Sequence, residues 1–320
     1  MVAASSFIVS KGILAPGMSL PVLALERPQH AEISVPVGVV EGTYRTTAPL
    51  IRPSRLTSRD RGGVGKELSE GWCLNFAVGC THACPFCYVD AIHKRFGRRY
   101  GNLVQMKWGD YFLIPSNLDE AIEDTRWSRW RAKEVMMSST HDPYLPKLAK
   151  FARKILDRAL PAGVRFCIQT RSTLVLKDLD LLRDYADQIR LQVSIATMDR
   201  EFARRIEPRV PPPERRLEVL RRATAAGLSV GVIIAPVFPA CSLRPDIAED
   251  LRRIATELTP INPSHVYGES LHVRGENLRL VETAIGERVK VTRGFDRGVE
   301  QLFHSELALV GLHGIWWPEH

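Results

Sequence analysis

Three cysteines within eight residues, Cys80, Cys84 and Cys87, constrain this chain more than any other feature. Their spacing is C-x3-C-x2-C, and a short apolar run, Leu74-Asn75-Phe76-Ala77, precedes them. Three thiolates this close can wrap one metal centre but cannot supply four ligands to it. Cysteine thiolates hold iron–sulfur clusters, so a three-cysteine loop leaves one iron of a cubane open to an outside ligand. A Cys3His zinc site is the alternative, with His82 or His93 as the fourth donor, or Cys73 as a fourth thiolate. Structural zinc sites usually pair two short knuckles across a longer spacer, and no second knuckle follows here, which favours iron and sulfide.

Composition bounds the rest. A chain of 320 residues, 45% hydrophobic and 25% charged, can bury a full core. No apolar run reaches the length of about 18 residues needed for a transmembrane helix. Residues Met1 to Leu20 lack the basic and apolar regions of a secretory signal. Six cysteines, three of them clustered, suit metal ligation in a reducing cytoplasm better than a disulfide framework. The formal charge of +8 suits an anionic partner. The densest basic run, His93-Lys94-Arg95-Phe96-Gly97-Arg98-Arg99-Tyr100, directly follows the cysteine loop. It reads either as a solvated helix end or as a surface that tracks a nucleic-acid backbone and stacks on its bases.

Residues 1–66 are rich in Pro, Gly, Ser and Thr and read as a loop-rich, β-prone N-terminal extension. From Trp72 short apolar runs alternate with amphipathic ones. The pattern predicts strands at Trp72–Phe76, Glu134–Ser138, Arg165–Thr170, Arg190–Ala196, Ser229–Ala235 and Ser264–Tyr267. Helices are expected at Leu118–Trp130, Leu145–Leu160, Asp178–Ala186, Glu214–Ala226 and Ile247–Leu258, with Pro213 at a helix start and Gly163 and Gly227 as C-caps. Six strands alternating with helices imply an α/β fold with a parallel sheet, curled by right-handed crossovers into a partial (β/α)6 TIM-like barrel. The core spans residues 67–276, and residues 277–320 form a C-terminal appendage that adds at most an edge element.

In such barrels the site lies at the C-terminal ends of the strands. Those ends are polar: Ser138-Ser139-Thr140-His141-Asp142, Thr170-Arg171-Ser172, Ser194 with Thr197, and Gly268-Glu269 with His272 and Arg274 beyond. Taken in order, the strings GC-x3-C-x2-CY, STHDPY, QTRS, VSIAT and IEPRVPPPERR resemble the spore photoproduct lyase-like branch of the radical S-adenosylmethionine (radical SAM) enzymes, over Gly71 to Glu276. The resemblance implies a [4Fe–4S] cluster on Cys80, Cys84 and Cys87, with SAM chelating the open iron and an outside reductant such as flavodoxin or ferredoxin. It places Tyr88, Thr140, Arg171 and Ser194 around SAM, with Arg171 pairing to its carboxylate where relatives often carry lysine. Glu207 and Arg216 match a pattern expected to form a buried, structural ion pair.

One departure matters. Relatives that repair the spore thymine dimer carry a hydrogen-donating cysteine where this chain has Ser139, and an alcohol O–H is too strong to replace a thiol. Cys167 reads as a small buried hydrophobe. Cys241, in the loop after the fifth strand, is the candidate substitute donor. The resemblance therefore implies hydrogen abstraction from a substrate other than the thymine dimer: a nucleic acid or nucleotide, or a small anionic metabolite. The competing class is a zinc-stabilised nucleic-acid-binding protein without catalysis.

Overall fold

The computed structural model describes residues 38–60, 63 and 65–319, so residues 1–37 of the expected extension lie outside the described residues. The first elements are β1 (Val40–Tyr44), β2 (Ile51–Pro53), β3 (Trp72–Leu74), α1 (Tyr88–Phe96), β4 (Tyr111–Pro115) and α2 (Leu118–Asp124). Regular alternation follows: β5 (Glu134–Met137), α3 (Ala149–Ala159), β6 (Arg165–Thr170), α4 (Leu179–Asp184) and β7 (Ile189–Ser194). Two helices, α5 (Arg200–Ile206) and α6 (Pro213–Ala225), precede β8 (Ser229–Val237). The chain closes with α7 (Ile247–Leu258), β9 (His265–Ser270), α8 (Asn277–Ile285), α9 (Phe295–Ala308) and β10 (Ile315–Trp316).

The main sheet runs β10-β9-β8-β7-β6-β5-β3-β2, parallel throughout except for β2, which pairs antiparallel to β3. Its six central strands are the six expected from the sequence, and with their helices they make a partial barrel. Two segments within residues 1–66 join this framework. β2 lengthens the main sheet, and β1 pairs in parallel with β4, which is bridged to the main body through Val78 and Leu113. From the appendage, β10 extends the other edge of the main sheet.

Local chemistry explains where elements stop. The helix expected at Leu118–Trp130 ends at Asp124. Thr125 turns extended and gives its hydroxyl to the Ala121 carbonyl, while the Trp127 indole N–H binds the Ile122 carbonyl at 3.0 Å. These side-chain bonds satisfy the last turn and leave only a 3-10 turn at Trp127–Trp130. Pro213 does open α6, and Gly227 ends the segment after it at φ +82°, a conformation glycine adopts without penalty.

The barrel interior is filled by Cys73, Met136, Cys167, Ile233 and Tyr267, with Leu68 and Trp317 contributed from outside the repeats. Arg190 closes its lower end. It binds the Glu134 carboxylate at 3.0 Å, the Tyr267 hydroxyl at 3.2 Å and the Glu67 carbonyl at 2.7 Å. Trp317 stacks on Tyr267 at 4.9 Å and donates to the Glu67 carboxylate at 3.0 Å. Among the described residues no helix is long and apolar enough to cross a membrane.

Candidate active site

The loop between β3 and α1 carries all three clustered cysteines, and Cys87 is the residue that caps α1. At Gly79 a Cβ would lie 2.6 Å from the Tyr111 carbonyl oxygen, so only glycine lets the loop pass this close to β4. The three thiols line one cavity of about 110 Å³ together with His82, Thr140, His141, Asp142 and Arg171. Burial pushes the Cys80 thiol up to about 12 and the Cys87 thiol up to about 11, and raises Cys84 well above its ordinary range. Arg171 works against this shift at Cys84 and Cys87 but does not offset the desolvation.

Two buried thiols, Cys80 and Cys84, and the half-buried Cys87, all with raised pKa, are poised for a cationic centre, which would draw them into the thiolate form. Among the described residues no three His, Cys, Asp or Glu side chains converge tightly enough to hold a single ion. In a cubane each thiolate sits on its own iron, so a trio lining a cavity fits that group better than it fits one zinc. The candidates for a fourth protein ligand are also poorly placed. His93 Nδ1 lies 3.2 Å from the Tyr111 hydroxyl, Cys73 packs in the barrel interior, and His82 sits 3.6 Å from the Asp142 carboxylate. The donor set therefore fits a [4Fe–4S] group with one iron left for an outside ligand.

Asp142 organises the neighbouring strand ends. Its carboxylate accepts from the Thr170 hydroxyl at 2.7 Å, the Arg171 amide at 2.7 Å and the Tyr144 amide at 2.9 Å. Ser139 is held by Asn75, whose amide oxygen accepts from the Ser139 N–H at 2.9 Å while its nitrogen donates to Oγ at 3.0 Å. Tyr88 donates to the Ser139 carbonyl at 2.7 Å, joining α1 to the end of β5. Thr140 lies half-buried on the cavity wall, with Oγ1 3.4 Å from His141 Nδ1. His141 is buried beside it; desolvation lowers its pKa to about 3, and Nε2 has no partner, so the ring is neutral with one nitrogen unused.

Arg171 stands on the wall between this cavity and a larger one. Its Nε donates to Glu207 at 3.0 Å, Nη2 to the Ala235 carbonyl at 3.1 Å, and the guanidinium lies 5.5 Å from the Phe86 ring centre. Glu207 is ionised below its usual range, because the buried Arg216 and Arg171 together outweigh its desolvation. Arg216 pairs with it through both guanidinium nitrogens and also donates to the Ser194 carbonyl at 2.6 Å, so the expected buried ion pair is present. Ser194 itself is fully buried, with Oγ unpartnered, and lines neither cavity.

Cys241 does not join the others. It packs with Phe238, Phe202 and Leu271 outside both cavities, in a tight turn with Arg244. Burial raises its thiol pKa. Arg244 donates to the Phe238 and Pro239 carbonyls, which makes this loop part of the packing.

The larger cavity, about 620 Å³, occupies the upper barrel and shares Phe86, Cys87, Tyr88, Gln169 and Arg171 with the first. Leu56, Leu68, Ile233 and Trp317 form apolar walls, while Arg95 and Phe96 of α1 and Arg274 stand at its rim. Glu269 is the one carboxyl on its lining, and desolvation raises it to about 7. The spacing of the cysteines announces the first cavity. Nothing local announces Asn75, Leu68 or Trp317, which reach the site only through tertiary packing.

The family model of the radical SAM superfamily matches residues 74–242, the stretch from the end of β3 past β8. The chain belongs to the radical SAM superfamily. An uncharacterised protein of Acidianus two-tailed virus is 58% identical over 279 residues, which are 87% of this chain and 93% of that relative. A protein of Mycobacterium tuberculosis is 28% identical over 209 residues, 64% of this chain and 59% of its own length. Among solved structures, a spore photoproduct lyase variant with bound AdoMet and dinucleoside spore photoproduct shares the fold at TM-score 0.61 and 17% identity, over 88% of this chain and 82% of that one. A second variant of the same lyase gives TM-score 0.60 at 15% identity, over 88% and 82%.

Proposed function

We propose that this radical SAM protein holds a [4Fe–4S] cluster on Cys80, Cys84 and Cys87 and abstracts hydrogen from a nucleic acid or nucleotide. The chemistry such a cluster supplies when bound is one-electron cleavage of SAM to methionine and a 5′-deoxyadenosyl radical. One observation carries the reading: three thiols at C-x3-C-x2-C spacing line one cavity, and that cavity shares a wall with a second, substrate-sized one.

The chain's own residues bind and orient. Arg171 offers the SAM carboxylate its remaining N–H groups, and Glu207 fixes the angle of the guanidinium. Thr140 and Tyr88 on the cavity wall complete the SAM-binding set, Ser194 lying buried behind it, and the apolar barrel interior keeps water from the reacting atoms. Arg95 and Phe96 on the rim favour a substrate that combines anionic charge with flat rings. A free anionic metabolite is the second reading, favoured by the 620 Å³ volume, which falls among ordinary small-ligand pockets of roughly 300–1,000 Å³. Spore thymine-dimer repair is not the reaction in this reading: Ser139 replaces the donor thiol, and Asn75 holds its hydroxyl. A flavodoxin- or ferredoxin-like donor supplies electrons, in a reducing cytoplasm.

Anaerobic reconstitution tests the proposal. It should give about four irons per chain at ~1:1 with sulfide, the content of a [4Fe–4S] cubane. One zinc per chain in place of iron would overturn it.

A further inference from the structure

Glu269 has no evident structural task. It follows Gly268 on β9, whose Cα faces Phe303 and Trp316 outside the barrel, so strand alternation turns Glu269 inward with Tyr267. It lines the 620 Å³ cavity, and among the described residues it has no hydrogen-bond or ion-pair partner. The side chain is half-buried and open to the cavity, so a ligand there can reach a carboxyl that no protein group engages. Arg171 and Arg274 lie close enough to act on it electrostatically, yet neither reaches it.

The surroundings narrow what could meet it. A compact ammonium ligand would be opposed by Arg171 and Arg274 on the same wall. Walls that include Phe86 and Trp317 suit a neutral, flat ring, and Arg95 and Arg274 at the rim suit an anionic tail on that ring. A duplex cannot enter a space of this size, so a base from a nucleic acid would have to leave the stack first. With its pKa raised to about 7, the carboxyl is protonated in part near neutral pH, and that form presents one donor and one acceptor side by side, the complement of a ring nitrogen beside an exocyclic amine.

We propose that Glu269 recognises the substrate, receiving the ring-nitrogen and amino edge of a single adenine- or cytosine-type base whose phosphate lies against Arg95 and Arg274. This rests on the radical SAM reading and adds the substrate class to it.

The test titrates the SAM-loaded, cluster-reconstituted protein with AMP, CMP and ribose 5-phosphate by calorimetry. AMP or CMP should bind and ribose 5-phosphate should bind more weakly. Glu269→Ala should weaken the nucleotide tenfold or more, while Glu269→Gln, whose amide keeps one donor and one acceptor, should stay within about threefold, under 1 kcal/mol at tenfold per 1.4 kcal/mol. The inference is overturned if neither nucleotide binds at millimolar concentration, or if Glu269→Ala binds them as the parent does. It is also overturned if Glu269→Ala loses SAM affinity, which would place the carboxyl on the cofactor. SAM cleavage by the reduced parent is measured in parallel; its absence would sink the radical reading while the nucleotide titrations still decide the role of Glu269.

Discussion

The two cavities that meet at Arg171 are built in opposite ways. The smaller is lined mostly by the cysteine loop, the start of α1 and the ends of two strands, with Trp108 beside them, and most of its polar groups are tied to one another: Asp142 alone accepts three hydrogen bonds. The larger gathers side chains from Leu56 to Trp317, is mostly apolar, and leaves its one carboxyl unmatched. A tightly bonded wall suits a cofactor that every member of a family shares. A roomy apolar wall with one unmatched polar group suits a substrate that differs from member to member. Arg171 lines both cavities, and Glu207, held by Arg216, braces it from behind that boundary.

That comparison can be broken first at its boundary. Arg216 is 1% exposed and holds Glu207, so Arg216→Leu leaves a buried carboxylate with Arg171 as its one remaining ion-pair partner among the described residues. It should cost about 3–5 kcal/mol of stability, the usual penalty for removing one partner of a buried pair. Chemical denaturation of the purified variant measures this, and a loss below ~1 kcal/mol would mean that the boundary is not the rigid wall described here.

Arg171 is 20% exposed and keeps guanidinium N–H groups for a ligand. Arg171→Ala should leave the cluster intact and weaken SAM binding by about 1.5–3 kcal/mol, the scale of a charged hydrogen bond. Equal SAM affinity in parent and variant would move the carboxylate contact elsewhere.

A smaller effect belongs to the rim of the larger cavity. Lys94 is already paired with Asp90 at 2.9 Å, whereas Arg95 stacks on Phe96 and faces the opening. On duplex DNA each lost phosphate contact lowers the log–log salt slope by about 0.9. Replacing Arg95 with alanine should therefore flatten the salt dependence, and replacing Lys94 should change it less. The reverse order would show that the substrate enters from another side.

The six barrel strands were legible in the sequence because each is a short β-branched or apolar run set off by amphipathic helix. The edge strands β2 and β10 are three and two residues long and carry no period of their own, so the sequence allows an edge element in the C-terminal appendage without locating it and gives no sign of β2. The cysteine loop was legible because its spacing is local. Cys241 shows where that logic fails. A loop after a barrel strand reads as a site element, but Arg244 bonds the loop carbonyls and folds the thiol into apolar packing. Ser194 lies on the strand the sequence assigned to it, yet whether its hydroxyl reaches a cavity depends on packing that no single strand reveals.

The most direct test of the central claim is the yield of 5′-deoxyadenosine from SAM, after anaerobic reconstitution and reduction. The parent should produce it in proportion to its cluster content, and Cys84→Ala should fall to the level of a protein-free control. A parent that carries full iron and sulfide, binds SAM and still produces no more 5′-deoxyadenosine than Cys84→Ala would contradict the account.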